Sequence, residues 1–515
     1  MSIRIYIPRD SVAIALGADE IVEKLDLAAS DSGANIEIIR TGSRGMAWLE
    51  PLIEVEVGAH RVGYGPVSVE DIGGLIEANI FKGGDHYLCI GPIEEHPYLT
   101  GQQRQMFKRC GIIDPLDLAS YEAAGGLSGL KKALTLSQDE LVEEVMTSGL
   151  RGRGGAAFPA GIKWRTVAAA KADQKYIVCN ADEGDSGTFA DRMIIEGDPF
   201  RLIEGMTIAG VATGANEGII YLRSEYPIAK DTLESAVKKA YEAGILGSNI
   251  LGSGKLFNLT LFIGAGAYIC GEETSLLESL EGKAGQVRVK PPIPALFGLH
   301  GKPTLVHNVL TLCAVPDIIA GGGKSYAEKG VGRSSGTMPF QLAGNIKHGG
   351  LIEVPFGISL RELVETYGGG TLSGLPVKAV QVGGPLGAYL PASQLDIAMT
   401  YEALMEIGAG LGHGGIVVFD DTVDMRAQAR YAFAFCAAES CGKCTPCRIG
   451  AVRGVELMDQ IKKKGSLADD RQLLNELLEV MEDGSLCAMG GMTPVPVKSA
   501  ISYFPSDFEN CGEQP

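Results

Sequence analysis

The spacing of hydrophobic and polar residues changes three times along this chain and divides it into four regions. Residues 1–105 and 106–330 alternate short apolar runs with helix-like periods, and residues 331–424 hold strand-like patches among many glycines. Residues 425–515 show the 3.6-residue period of helices almost throughout. The pattern predicts a multidomain α/β protein that ends in a small helical bundle.

In the first region the order of the predicted elements is the informative feature. We expect strands over residues 3–7, 36–39 and 53–57, and helices over residues 19–30 and 69–80. This order resembles a thioredoxin-like fold, but the region contains no C-x-x-C pair and Cys89 stands alone. We therefore interpret residues 1–105 as a structural or docking domain without cluster cysteines.

The second region alternates predicted strands with predicted helices. The strands fall at residues 176–179, 218–222 and 259–263, and the helices at 139–148 and 230–243. Such alternation predicts a mainly parallel, Rossmann-like sheet covered by helices, with ligands beyond the carboxyl ends of the strands.

The two remaining regions have simpler patterns. Around a predicted helix at 360–366, strand-like patches at 340–342, 379–382 and 416–419 suggest a β-grasp unit over residues 331–424. Helices are predicted over residues 425–438, 448–464 and 470–482, with Gly465 and Gly484 as stops.

Composition excludes several classes of protein. The 515 residues carry a net charge of −18, which argues against nucleic acid and anionic membranes as partners. No run approaches the ~18 apolar residues of a membrane span, and the N-terminus lacks the features of a signal peptide. Eleven cysteines, most of them scattered singly, fit a reducing compartment, so we expect a cytoplasmic protein.

Four cysteines near the C-terminus form the clearest metal-binding pattern. Cys441, Cys444 and Cys447 are spaced C-x2-C-x2-C, and Cys487 follows forty positions later. Structural zinc sites usually pair two C-x2-C or Cys/His units, which this set does not. Three clustered thiolates beside a proline and one distant fourth are typical of a [4Fe–4S] ligand set.

Three loops carry candidate binding residues. Residues 149–164 are rich in glycine and cations, so backbone amides can approach a phosphate or a flat ring there, and Phe158 can stack on such a ring. Residues 180–188 follow a strand and crowd Asp182, Glu183 and Asp185 together; Asn180 and Asp182 can hold the polar edge of a flavin. A structural turn and a solvated acidic turn are the ordinary alternatives for these two loops.

The third loop, residues 264–274, imitates a dinucleotide fingerprint. Its glycines are spaced G-x-G-x4-G, and Glu272 and Glu273 at the following helix would repel a pyrophosphate. We therefore expect these carboxylates to meet hydroxyls or a carboxamide.

Together these segments make the chain similar to the NADH-oxidising flavoprotein subunit of respiratory complex I and its relatives. The resemblance covers residues 111–508, and its motifs occur in order at 111–115, 151–164, 180–191, 264–274, 290–292, 301–304 and 440–448. Residues 62–68 and Asp185 are most similar to the diaphorase (β) subunit of NAD-dependent molybdenum or tungsten formate dehydrogenase.

The resemblance implies the cofactors FMN, NAD and a [4Fe–4S] cluster. For FMN and NAD(H) it implies contacts with Gly152, Arg153, Gly154, Gly155, Phe158, Lys163, Asn180, Asp182, Glu183, Asp185, Tyr268, Gly271, Glu272, Glu273, Lys290, Val306, His307 and Asn308. The hydride passes between cofactors, so no catalytic residue is expected, with Asp185 and Glu183 as the nearest candidates. Thr166, Ile293 and His307 depart from the complex I pattern, and His307 by itself is typical of a packing residue.

The resemblance also implies partner subunits. A formate dehydrogenase catalytic subunit and a small [2Fe–2S] thioredoxin-like subunit would exchange electrons with this chain. The alternative partners are those of complex I or of an NAD-linked hydrogenase. An alternative of another class is a non-catalytic electron relay or scaffold.

Overall fold

The N-terminal unit of the computed structural model, which describes residues 2–509, is built on a five-stranded mixed sheet. The sheet order is β2-β1-β3-β4-β5, with β1 parallel to β2 and the other pairs antiparallel. Its strands are β1 (Ile3–Pro8), β2 (Ile36–Thr41), β3 (Ile53–Val57), β4 (His60–Tyr64) and β5 (Cys89–Pro92), and its helices are α1 (Ser11–Ala15), α2 (Ala18–Ser32), α3 (Ile72–Glu77) and α4 (Pro97–Thr100).

One predicted helix of this unit is wrong. Instead of a helix over residues 69–80, the chain forms a 3₁₀ turn at Val69–Asp71, the six-residue α3 and a second 3₁₀ turn at Ile80–Lys82. Asn79 has a φ of 63°, in the left-handed region, which interrupts the helix between the two.

The second unit is a four-stranded parallel sheet with helices packed against it, as the alternating pattern predicts. The order β8-β7-β6-β9 places β9, which the sequence did not reveal, beside β6. The strands are β6 (Tyr176–Ala181), β7 (Glu217–Leu222), β8 (Asn258–Ile263) and β9 (Thr304–Asn308). The helices are α5 (Leu118–Ala123), α6 (Ser128–Ala133), α7 (Gln138–Thr147), α8 (Ala160–Ala169), α9 (Ala190–Gly197), α10 (Pro199–Thr213), α11 (Pro227–Glu242), α12 (Glu273–Leu280), α13 (Val309–Gly321) and α14 (Gly323–Ala327).

The third unit is a mixed sheet in the order β13-β12-β16-β14-β15. Its central strands β12 and β16 are parallel, and the flanking pairs are antiparallel. The strands are β10 (Gly330–Val331) and β11 (Ser334–Ser335), which form a separate pair, followed by β12 (Thr337–Gly344), β13 (Gly350–Pro355), β14 (Val377–Val382), β15 (Ala388–Pro391) and β16 (Gly415–Asp420); helical turns occur at Glu362–Tyr367 and in α15 (Tyr401–Glu406).

The C-terminal region is helical, as predicted, with two short helices that the sequence pattern did not indicate. The helices are α16 (Met425–Glu439), α17 (Thr445–Lys464), α18 (Arg471–Gly484), α19 (Ala488–Met492) and α20 (Pro494–Tyr503). Gly465 ends α17 in the left-handed conformation at a φ of 72°. A Cβ on Gly454 of α17 would lie 2.2 Å from the ring of Phe433, so glycine lets α16 and α17 approach closely. None of the helices within residues 2–509 combines the length and apolar character needed to cross a membrane.

Buried polar contacts fix the units around the parallel sheet. Arg61 of the first unit donates to the carbonyls of Gly111 and Ile112 at 3.1 and 2.9 Å. From the third unit, the side-chain oxygen of Gln341 accepts from the amides of Phe189 and Ala190 at 2.6 and 2.8 Å. Because unsatisfied buried amides are costly, these contacts hold the third unit beside the start of α9.

Candidate functional site

The candidate binding site lies where the order of the parallel sheet reverses. β6 precedes both β7 and β9 in sequence but lies between them in the sheet, so the connections leave it in opposite directions. Asn180 and Asn308 pair directly at the carboxyl ends of β6 and β9. This reversal point is where open parallel sheets bind ligands.

The glycine-rich loop between α7 and α8 lies against this edge. Its backbone folds back on itself, with the amide of Gly152 donating to the carbonyl of Phe158 at 2.9 Å. A Cβ on Gly154 would come within 2.9 Å of Cβ of Asn308, so only glycine permits this approach. Gly155 has a φ of 112°, and Phe158 remains 46% exposed. The loop thus offers a close backbone surface and an aromatic ring.

The guanidinium groups of Arg151 and Arg153 are paired with residues of neighbouring elements. The guanidinium of Arg153 is buried and donates to the Tyr326 hydroxyl at 3.0 Å and the Ser335 carbonyl at 2.7 Å. Arg151 pairs with Glu402 at 2.6 Å and lies over the ring of Tyr401. Both cations therefore attach the loop to the third unit, and a contact between Arg153 and a cofactor stays a prediction.

The acidic loop after β6 contains a carboxylate with an unused oxygen. The amide of Asp182 donates to the side-chain oxygen of Asn180 at 3.1 Å, and the Asn180 amide group donates to the carbonyl of Gly271 at 2.8 Å. Oδ2 of Asp182 is buried and has no hydrogen-bond partner within residues 2–509. Burial raises the pKa of Asp182 to about 7, although Arg223 opposes the shift. A buried acceptor without a partner, close to the backbone of Gly271, suits a ligand that carries hydrogen-bond donors, as the flavin ring does.

The carboxylate of Glu183 is held by hydrogen bonds from α9 and from Tyr226. This buried carboxylate accepts from the amides of Asp191 and Arg192, both at 3.0 Å, and from the Tyr226 hydroxyl at 3.1 Å. It thereby caps α9, whose own N-cap residue Phe189 has no side-chain acceptor. The contact of Glu183 with a cofactor and its place as a nearest catalytic candidate stay predictions.

Asp185 is held between two units. Its Oδ1 accepts from the Tyr268 hydroxyl at 2.7 Å, and a Cβ on Gly384 would lie 2.5 Å from its Oδ2. Burial raises the pKa of Asp185. The ring of Tyr268 also meets the edge of Phe435 on α16, with centroids 4.8 Å apart. One side chain thus connects the acidic loop to the helix that leads to Cys441.

Two lysines and two glutamates form a connected set of ion pairs. Lys290 donates to Glu272 at 3.0 Å and to Glu273 at 2.9 Å, and Lys163 donates to the other oxygen of Glu273 at 3.0 Å. Burial alone would raise the pKa of Glu273, but Lys163 and Lys290 together lower it. Glu272 also caps α12 through the amides of Thr274 and Ser275. These charges are paired, so a ligand would have to exchange partners with them.

The three residues at the end of β9 have different roles. Val306 contributes its carbonyl, 3.4 Å from Nζ of Lys163. His307 is buried and accepts from the Trp164 indole at 3.1 Å; burial lowers its pKa to about 3, so it is neutral. Asn308 caps α13 through the amide of Thr311. The His307 side chain thus packs against Trp164, and the cofactor contact implied by the resemblance stays a prediction for this residue.

Three of the four predicted cluster cysteines lie at the starts of helices, and Cys441 lies in the turn that precedes α17. Cys444 and Cys487 are the residues immediately before α17 and α19, where the helix dipole favours a thiolate, and Cys447 lies in the first turn of α17. A Cβ on Gly490 would lie 2.7 Å from Cβ of Cys447, so glycine makes room for this approach.

The cysteine sulfurs are not gathered as tightly as the ligands of one zinc ion. No three cysteine sulfurs within residues 2–509 lie within 4.8 Å of one another. Around zinc, with Zn–S distances of ~2.3 Å, tetrahedral ligands would be roughly 3.8 Å apart. The assignment of these four cysteines to a [4Fe–4S] cluster stays a prediction from their sequence pattern. Sequence reasoning did not reveal that Cys436 approaches Cys447, with the two sulfurs 3.6 Å apart.

Comparison with known proteins agrees with both halves of the site. Residues 145–317 match the family model described as the Nuo51 FMN-binding domain, and residues 427–511 match the NADH-ubiquinone oxidoreductase-F iron-sulfur binding region. The chain is 48% identical over 410 residues to NADP-reducing hydrogenase subunit HndC of Solidesulfovibrio fructosivorans, covering 79% of this chain and 83% of that protein. It is 41% identical over 404 residues to the F-type subunit of NADH-quinone oxidoreductase of Escherichia coli (strain K12), covering 78% and 91%.

Solved structures extend the likeness to the whole chain. The crystal structure of NAD+-reducing [NiFe]-hydrogenase in the H2-reduced state superposes with a TM-score of 0.70 at 31% identity, covering 100% of this chain and 84% of the other. An FMN-binding domain joined to an iron–sulfur binding region defines an NAD(H)-linked flavin and iron–sulfur oxidoreductase subunit. The chain belongs to the flavoprotein family that includes the F-type subunits of NADH-quinone oxidoreductase, and it binds FMN and a [4Fe–4S] cluster.

Replacing one thiolate should separate the two cofactors. We expect Cys444→Ser to lose the low-temperature paramagnetic signal and the iron of the cluster while keeping FMN, because the flavin loops lie on other elements. Iron content, electron paramagnetic resonance and flavin absorbance measure this. Cys89→Ser, at a half-buried cysteine of the first unit, is the matched control. Full retention of iron by Cys444→Ser would contradict the ligand assignment.

The buried Asp182 should make stability depend on pH. Its folded pKa of about 7 lies above its ordinary value of 3.8, so the folded protein retains a proton that the unfolded chain releases. Its contribution to stability is therefore present at low pH and lost as pH rises from about 4 to 7. In thermal unfolding of the FMN-free protein, we expect Asp182→Asn to gain stability over the wild type progressively across that range.

The control for this measurement is the exposed Asp173, whose change to Asn should leave no such difference. A constant offset between Asp182→Asn and the wild type at every pH would contradict the assigned pKa.

Proposed function

We propose that the chain is a diaphorase subunit in which NAD(H) exchanges a hydride with FMN and the cluster carries single electrons to or from a partner. The observation that carries this proposal is the Tyr268 contact. Its hydroxyl binds Asp185 in the acidic loop, and its ring packs on Phe435, six residues before Cys441. This direct packing supports a short path between the two cofactor sites.

The chain's own residues would bind and orient the cofactors. We assign FMN to the backbone of Gly152, Gly154 and Gly155 and to Asn180, Asp182 and Asn308, with Gly271 leaving room. Bound FMN supplies the conversion between hydride transfer and one-electron transfer. No side chain is assigned an acid–base role, because the hydride passes directly between cofactors.

For the nucleotide, we propose stacking on Phe158 and polar contacts with the other wall of the site. Lys163, Glu273 and Lys290 form a chain of ion pairs there, and the Tyr268 hydroxyl donates separately to Asp185. Glu273 pairs with both Lys163 and Lys290 and so leaves neither cation free for the 2′-phosphate of NADP; we therefore propose that NAD is the preferred nucleotide. Phosphate discrimination by one carboxylate is expected to be worth about 1–3 kcal/mol.

Two further units accompany this core. We propose that residues 1–105 are a thioredoxin-like domain, which the β-α-β and β-β-α order supports, and that residues 331–424 are a β-grasp domain, which the order β13-β12-β16-β14-β15 supports. Residues 106–330 and 425–515 would be the FMN/NAD and cluster domains. We also propose a cytoplasmic location, since the cysteines of the described residues are free thiols, as a reducing compartment would keep them.

The partner assignment is the finest level of the proposal. The relatives described above are subunits of hydrogenases and quinone oxidoreductases, so they favour the hydrogenase or complex I alternative. Residues 62–68 and Asp185 support the formate dehydrogenase assignment, with a molybdenum or tungsten catalytic subunit and a small [2Fe–2S] subunit. Purifying the native complex and assaying NAD+ reduction with formate and with H2, and quinone reduction with NADH, would decide among them.

The purified chain should be yellow and should reduce an artificial electron acceptor with NADH. FMN released by denaturing one sample measures the bound flavin. NADH-dependent dye reduction by a second, native sample measures the activity. A reconstituted protein that binds FMN and the cluster without oxidising NADH would instead support a non-catalytic relay or scaffold.

Glu273→Gln should relax nucleotide preference. Removing this charge leaves Lys163 and Lys290 free to meet a phosphate, so we expect kcat/KM for NADPH relative to NADH to rise about 10-fold or more. Steady-state kinetics with both nucleotides measure the ratio. Glu225→Gln, at an exposed carboxylate that pairs with Arg223, is the control. An unchanged ratio in Glu273→Gln would refute the assignment.

A further inference from the structure

A buried histidine that no sequence motif singled out joins the two loops of the flavin site. His413 lies two residues before β16 and is 6% exposed. Its Nδ1 is 2.8 Å from the carbonyl oxygen of Arg153 in the glycine-rich loop. Its Nε2 is 3.2 Å from Oε1 of Glu183 and 3.2 Å from Oδ1 of Asp191. One ring thus contacts the glycine-rich loop, the acidic loop and helix α9.

The partners of the ring determine its protonation. The Arg153 carbonyl, 2.8 Å from Nδ1, can only accept, and the side-chain amide of Asn308 lies farther away at 3.5 Å, so Nδ1 carries a proton. With Nε2 unprotonated, its lone pair would face two carboxylate oxygens in a water-poor interior, which is strongly unfavourable. A proton on Nε2 removes this repulsion. Neither contact of Nε2 has hydrogen-bond geometry, because one N–H cannot point at two oxygens, so the attraction at 3.2 Å is between charges.

The electrostatics of the surrounding groups agree with an imidazolium. Burial lowers the pKa of His413, but Asp191 and Glu183 outweigh burial and raise it well above its ordinary value. Glu183 is itself surrounded by donors, namely the amides of Asp191 and Arg192 and the Tyr226 hydroxyl. A second buried carboxylate beside it therefore needs a cation.

A metal ion is the other cation that can fill this position. The three side-chain atoms lie within 4.8 Å of one another, but no fourth His, Cys, Asp or Glu of residues 2–509 joins them. Structural zinc sites close with four ligands. A proton satisfies the same three atoms without a further ligand, so the geometry favours the imidazolium.

We propose that His413, as an imidazolium, is a positioning residue that holds the glycine-rich and acidic loops at the spacing FMN requires. It acts through Glu183 and the Arg153 carbonyl, and the proposal rests on the FMN site described above. Gln341 supports the same junction, because its amide donates to the carbonyl of His413 at 2.9 Å while its oxygen binds the start of α9.

The first test uses FMN affinity. His413→Gln keeps an amide donor toward the carboxylates but removes the charge, so we expect the FMN dissociation constant, measured by flavin fluorescence with the cluster intact, to rise at least 10-fold. Adding Asp191→Asn removes one uncompensated carboxylate and should recover at least threefold of that loss, which a purely steric role would not allow. His348→Gln is the matched control, since His348 lies in the same unit and its Nδ1 contacts only the carbonyl of Tyr367 among described hydrogen-bond partners.

The second test needs no flavin. In FMN-free protein with 15N-labelled histidine at pH 7, we expect one of the seven histidines to show both ring nitrogens protonated, and His413→Gln to remove that signal. This wild-type measurement decides the charge even if the variant fails to fold. A neutral His413, unchanged FMN affinity in His413→Gln, or one equivalent of zinc lost with that change would each overturn the proposal. A wild-type chain that shows the imidazolium but binds no FMN would refute the flavin site instead.

Discussion

The parallel pairing of β6 with β9 is the constraint on which the rest of the site depends. It brings Asn180 and Asn308 side by side and opens the crevice from which both following loops leave. The close approach of Gly154 to Asn308 then brings the glycine-rich loop over the same edge. Without this strand order, the glycines and carboxylates would lie on separate connections with no common ligand.

Pairing of buried charges decides which residues remain available to cofactors. Arg151 and Arg153 attach the glycine-rich loop to the third unit, and Glu183 and Asp191 meet His413. Because an unpaired charge in the interior costs several kcal/mol, these groups are committed to the protein. Asp182 is different, since one of its buried oxygens has no partner in the described chain. The polarity left for a ligand is therefore concentrated at a few atoms.

The third and fourth units do more than cover the parallel sheet. The third unit supplies Gly384 against Asp185, Tyr401 against Arg151 and His413 against Glu183. The helical bundle supplies Phe435 against Tyr268 and carries the cysteines at its helix ends. Helix termini suit these thiolates because the unpaired amides there favour negative charge. This arrangement therefore places a two-electron flavin site and a one-electron cluster site in a single chain.

The sequence by itself determined the cysteine set, the glycine-rich loop, the parallel sheet and the helical C-terminus, because each depends on residues close together in the chain or on a regular period. It missed β9, whose five residues show no clear alternation, and it predicted a continuous helix where Asn79 breaks it. Only the tertiary structure decided the direction of each side chain. Arg153 and Glu183 lie in loops whose sequence suggests ligand contacts, and the resemblance implies such a contact for His307. The structure pairs their side chains with Ser335, Tyr226 and Trp164, which are distant in the chain or on another element. His413 carries no local motif at all, and its two carboxylate partners lie more than two hundred residues away, since burial and charge pairing are settled by packing between units.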